Sequence, residues 1–170
     1  MQHPNRALSA QEQQGMASAS DRAAEIIAKR VQTTLKGLHQ EVSNRSYRAA
    51  NELRTASLYV LRGQRSGRQY RIPHTQRMNQ ASSPGEAPAN RTGMFRLSWR
   101  PMIRVEKKGK VFRAISAIES NLTVQGRRRW ILGELLEGGT RYMAPRPYKD
   151  AVRERAAPQI KALYRKPYKT

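Results

Sequence analysis

Residues 20–62 read SDRAAEIIAKRVQTTLKGLHQEVSNRSYRAANELRTASLYVLR. Within them Ile27, Val31, Leu35, Leu38, Val42, Ala49, Leu53, Ala56 and Val60 fall on one stripe of an α-helix, mostly at steps of three or four residues. Ser18 or Ser20 supplies a cap, Asp21 and Glu25 favour the start, Arg62 favours the end, and Gly63 suits the position just past it. At 1.5 Å per residue the helix is about 60 Å long. That exceeds what one small core needs, so part of the stripe is expected to pack on another subunit. Two helices broken near Ser43 to Ser46 are the alternative.

Outward from this helix the chain changes character. Residues 1–19 form a polar arm, with Pro4 and Gly15 as breakers. On the other side, residues 63–100 combine spaced arginines, a short strand signal at Tyr70 and Ile72, and the loop QASSPGEAPANRTG at 80–93. Met94 to Trp99 predict a helical turn before Pro101. Residues 101–126 predict a β-hairpin and sheet: Ile103 and Val105 alternate with Arg104 and Glu106, and alternation resumes through Val111, Arg113, Ile115 and Ala117. A third strand near Leu122 to Val124 is expected to extend that sheet. A short helix over 127–138 follows, carrying Trp130, Ile131, Leu135 and Leu136. A C-terminal helix over 147–166 starts at Pro147 and is kinked or split by Pro158. The whole of 20–170 is expected to be one domain, with no internal repeat.

Charge is the dominant bulk property. The 170 residues carry 33 Lys and Arg against 12 Asp and Glu, a net +21. Such an excess repels itself unless acidic partners gather. Nucleic acid, an acidic protein ring and an anionic membrane would all serve. There is no cysteine, which excludes disulfides and thiolate chemistry and fits a reducing cytosol. The first twenty residues have no apolar run of the signal-peptide kind, no stretch of about 18 apolar residues occurs, and no membrane partner is expected.

Candidates for catalysis are thin. His3, His39 and His74 lie in the arm, the long helix and a loop, with no partner at metal-ligand spacing. Glu134 and Glu137 are three apart and can in principle act as paired carboxylates, but surface solvation or a salt bridge to the arginines at 127–129 is the simpler role. Gly63 and Gly67 open no phosphate-binding fingerprint, and Ser82 and Ser83 have no nearby base. No catalytic residue, metal or cofactor is expected, and the chain reads as a binding protein and not an enzyme.

Three basic clusters carry the functional signal: Arg62, Arg65, Arg68, Arg71 and Arg77; Lys107, Lys108 and Lys110; and Arg127, Arg128 and Arg129. A tail of Lys161, Arg165, Lys166 and Lys169 adds to them. Each alone reads equally as a solvated face; together they point to DNA or acidic partners. Tyr70, Trp99 and Trp130 nearby are candidates to stack on bases or, more simply, to be core.

Three strings add a family. Tyr-Arg-Ile-Pro at 70–73, Gln-Ala-Ser-Ser-Pro-Gly-Glu-Ala-Pro-Ala at 80–89 and Thr-Gly-Met-Phe-Arg-Leu-Ser at 92–98 resemble the tail-completion, or neck, proteins of long-tailed bacteriophages. Leu136-Glu137-Gly138-Gly139-Thr140 and Arg146-Pro147-Tyr148 follow in the family's order, so the resemblance covers about residues 63–165. Gly138 departs from the pattern, standing where an aromatic is common. The resemblance implies an α+β fold in which a long N-terminal helix and a C-terminal helix pack on a small antiparallel sheet with a long extended loop. It also implies a structural virion protein, built in the host cytoplasm as a homo-oligomeric ring at the head-tail junction. Its partners there are a head connector or stopper protein, a tail terminator protein and phage DNA in the channel; six copies is the expected ring size. The loop residues Ser83, Pro84, Gly85, Glu86 and Pro88 then suit an inter-subunit contact, because two prolines and small side chains lose little entropy on docking. The same loop can equally cross the sheet within its own subunit. The alternative function is a free, sequence-nonspecific nucleic-acid-binding protein, ribosome-associated or architectural.

Overall fold

The computed structural model describes residues 10–108, 111–120, 122–124 and 127–168, with backbone alone at 10–17, 123–124 and 127–130. By contacts the chain divides into residues 42–167 and residues 1–41 with 168–170. The fold is α+β. Helix α1 (Ala10–Val60) is followed by strands β1 (Gln69–Arg71) and β2 (Met78–Gln80), the single turn α2 (Met94–Leu97), and strands β3 (Arg100–Lys108) and β4 (Val111–Glu119). Then come β5 (Thr123–Val124), β6 (Arg127–Ile131), α3 (Leu132–Gly138) and α4 (Lys149–Arg165).

Helix α1 starts ten residues before Ser20, inside the segment read as an arm. Gln, Glu, Ala and Met at 10–17 are adequate helix formers, and Gly15 alone does not stop them. Residues 1–9 of that arm lie outside the described residues. No break occurs near Ser43 to Ser46, because Arg45 and Ser46 are buried there and their polar groups are matched. Ser46 Oγ lies 3.2 Å from Tyr164 Oη, and Ser116 Oγ donates to the Ser46 carbonyl at 2.8 Å. Arg45, also buried, donates to the carbonyls of Lys166 and Pro167 just past α4. At the other end Gly63 is not left-handed; among the described residues Gly85, Gly93 and Gly139 are the glycines at positive φ. Instead, Leu61 and Arg62 donate back to Ser57 and Tyr59 at 3.0 Å each, and Arg65 covers the Val60 carbonyl.

The core of residues 42–167 sits where the second half of α1 meets α4. Ala56, Leu61, Trp99, Tyr148, Val152 and Ala156 are buried, with Leu53, Phe95, Ile118 and Leu136 packed against them. Phe95 meets Trp99 and Tyr148 edge to face, with centroids 5.5 and 5.6 Å apart. Such pairs add about 0.5–1.5 kcal/mol each beyond their burial. Trp99 is therefore core, not a stacking platform. The Tyr148 hydroxyl donates to the Gly133 carbonyl at 3.2 Å, and a Cβ at Gly133 would stand 2.8 Å from the Tyr148 Oη. Burial, and then the charges of Glu137 and Glu134, push the Tyr148 phenol up, so it stays a donor.

Strands β3 and β4 pair antiparallel from Arg100 opposite Glu119 to Lys108 opposite Val111. Strand β5 forms where a third strand is expected, but it pairs with β6 as a separate two-stranded ribbon. The segment from Arg127 to Ile131 is strand, not helix; the helix begins only at Leu132. Trp130 and Ile131 are strand formers, and pairing Thr123 with Ile131 uses backbone that a helix would turn inward. Helix α4 begins two residues after Pro147 and runs as one element through Pro158. Pro158 is exposed, so its ring meets no packed neighbour and the lost backbone bond is local.

Candidate partner-binding site

The loop that carries the resemblance is held on both sides by its own chain. Ser66 donates to Glu86 through its backbone N–H at 3.1 Å and its hydroxyl at 2.6 Å, and Ser83 N–H donates to the same carboxylate at 2.8 Å. The Ser66 hydroxyl, the Ser83 and Ser66 amides and the Arg65 charge hold the Glu86 carboxyl down to about 2. Ala81 and Arg68 pair through backbone, Gly67 N–H reaches the Ala81 carbonyl at 3.0 Å, and a Cβ at Gly67 would lie 2.6 Å from that oxygen. From the far side Arg146 donates to Ser82 Oγ at 2.6 Å and to the Ser83 carbonyl at 2.9 Å, while Gly85 N–H donates to Pro145 at 3.2 Å. Ser83, Glu86 and buried Pro88 thus serve the loop's own closure. Pro84 and Gly85, the latter at φ 82°, form its exposed tip.

The first basic cluster separates into two kinds of arginine. Arg65 donates to the carbonyls of Pro88, Val60 and Gln64 at 2.8–3.2 Å, tying the end of α1 to the loop. Burial lowers its pKa and the Glu86 charge opposes that. Arg71 donates to the Thr75 carbonyl at 2.8 Å and to Gln76 Oε1, closing the β1–β2 turn in which His74 adopts φ 62°. Arg62, Arg68 and Arg77 are exposed. In the second cluster Lys107 and Lys108 are exposed at the end of the hairpin where β3 passes into β4, opposite Phe112 and Val111, and Lys107 Nζ stands 6.0 Å from the Phe112 ring centroid. Lys110 lies outside the described residues. Arg127, Arg128 and Arg129 are placed on β6 by backbone alone.

Strand β2 and two side chains, Arg146 and Glu137, matter more than their sequence reading gave them. Glu137 Oε2 accepts from the backbone N–H groups of Tyr148 at 3.1 Å and Lys149 at 3.3 Å, and so caps α4 from α3. A signal for this exists: Pro147-Tyr148 offers no Ser, Thr, Asp or Asn to cap the helix locally, so a distant acceptor is required.

A second candidate surface is apolar. On α1, Ile26, Ile27, Val31 and Leu35 are 55, 62, 52 and 46% exposed, whereas Ala49, Ala50 and Ser57 are 0% exposed. Among the described residues no helix is long and apolar enough to cross a membrane, and no group of three or more His, Cys, Asp or Glu side chains gathers in metal-holding range. No family model, no curated protein and no solved structure matches this chain.

Proposed function

We propose that this chain is a structural component of a bacteriophage neck, a ring that completes the tail and joins it to the head connector around the DNA passage. One observation carries the reading: the apolar stripe of α1 is buried or half-buried from Ala49 onward yet open at Ile26, Ile27, Val31 and Leu35. Helical stability comes mainly from covering such a face, so the open part needs another subunit or a neighbouring protein. The strings at 70–73, 80–89 and 92–98 supply the assembly in which it belongs. Exposed Arg62, Arg68, Arg77, Lys107 and Lys108 supply cations for DNA or for acidic connector and terminator proteins.

Cryo-electron microscopy of the virion that carries this protein tests the proposal; ring density for the chain at the head-tail junction is expected, and no density there overturns it. A second measurement separates the alternative. A free nucleic-acid-binding protein stays monomeric through the micromolar range and binds duplex DNA tightly with a steep salt dependence. A neck component instead self-associates in sedimentation equilibrium and binds DNA weakly as a monomer.

A further inference from the structure

A cleft of about 460 Å³ opens beside the clamped loop. Its floor is apolar, made by Leu61, Phe95, Leu132, Leu136 and Met143. Met94, 61% exposed, stands at the opening. Three arginines from separate parts of the chain line it: Arg91 from the end of the loop, Arg96 from α2, and Arg146 from the segment before α4. Among the described residues no carboxylate lines the cleft. Arg146 is occupied by Ser82 and Ser83. Arg96 is different, since its Nε is buried with no hydrogen-bond acceptor among the described residues. Arg91 is exposed. Partial burial leaves the Arg96 charge incompletely solvated, and that favours an anion at its outer nitrogens, where charge-assisted bonds are strong.

We infer that this cleft docks a protein segment in which a large apolar side chain is flanked by carboxylates. The apolar side chain fills the floor, and the carboxylates meet Arg91 and Arg96. The volume lies in the range of about 300–1,000 Å³ in which clefts bury a ligand. Nucleic acid fits worse: a base needs an open aromatic face, and of the two rings that line the cleft Phe95 is engaged edge to face by Trp99 and Tyr148, while Tyr70 is half-buried with its hydroxyl accepting from Asn79 at 2.9 Å. The inference rests on the reading of this chain as a binder of acidic proteins, and narrows it to one site and one kind of segment.

Labelled capped peptides DEFLDE, DEAADE and KKFLKK, titrated into the full chain at physiological salt and followed by fluorescence anisotropy, test it. DEFLDE should bind about tenfold more tightly than either of the others, the usual scale of one well-placed anchor. Met94→Glu and Arg91→Glu, both exposed positions, should each weaken DEFLDE by about tenfold with the circular dichroism spectrum unchanged. Equal binding of DEAADE overturns the inference by showing that charge alone attracts the peptide, while leaving acidic partners in place. Binding of DEFLDE that both variants retain also overturns it, as does no binding of any peptide. Neither sedimentation nor microscopy of the ring uses these peptides, so a failure here and a failure of the neck reading are read separately.

Discussion

Helix α1 repeats one pattern along its length and meets two fates. From Ala49 to Val60 the stripe lies in a core with Trp99, Tyr148 and Val152; from Ile26 to Leu35 it faces solvent. Apolar periodicity does not separate the halves, but residue size does in part: Ile27, Val31 and Leu35 are larger than Ala49, Ala56 and Ser57, although Leu53 and Val60 also lie in the second half. Small residues let the second half approach its cover closely. Large ones in the first half offer more area to a partner. Periodicity therefore says that a face needs cover, and residue size hints at whether the cover is near or still to arrive.

The comparison can be broken most forcefully at its covered end. Leu61→Ala, at a side chain 2% exposed, should cost about 2–5 kcal/mol in urea unfolding. A loss below 1 kcal/mol would mean the core there is not close-packed. Next in size, Glu137→Gln should cost about 1 kcal/mol by removing the charge that caps α4, and should lower amide protection at Tyr148 and Lys149 in hydrogen exchange. Glu86 gives a pH signature instead. Its carboxyl is depressed in the folded chain to about 2 from an ordinary value of about 4.3, so its contribution is present above the ordinary value. That contribution is lost as pH falls toward 2, and Glu86→Gln should flatten this part of the acid-unfolding curve. At the open end, Val31→Ser should change monomer stability by no more than about 0.5 kcal/mol yet weaken self-association measured by sedimentation. Equal effects on both would show that the stripe is already covered within the chain.

Elements with strong periodicity were legible: the α1 stripe, the β3–β4 alternation and the C-terminal helix. Short elements were not. Strand β2 is Met-Asn-Gln, with no β-former, and exists because Tyr70 and Asn79 face each other across a turn that Arg71 closes. Residues 127–131 look helical beside Leu135 and Leu136, but pairing with β5 outweighs local pattern. Arginine spacing located the basic segment and could not divide it. Arg65 and Arg68 are three apart in similar company, yet one holds carbonyls and the other meets solvent, a distinction set by the approach of Pro88 from 23 residues on. The loop string was recognisable, and what its Glu86 does depends on Ser66, twenty residues earlier.

The grip of Arg45 on the carbonyls past α4 joins groups 121 and 122 residues apart. Contacts so distant in sequence are made late in folding. On a ribosome moving at roughly 5–20 residues per second, α1 emerges several seconds before α4, the helix that covers its second half. In that interval both halves of the stripe are equally bare. A nascent chain of this protein therefore exposes a long apolar, cationic helix to chaperones, to RNA and to its own sister chains, and only synthesis of the last helix makes one half different from the other.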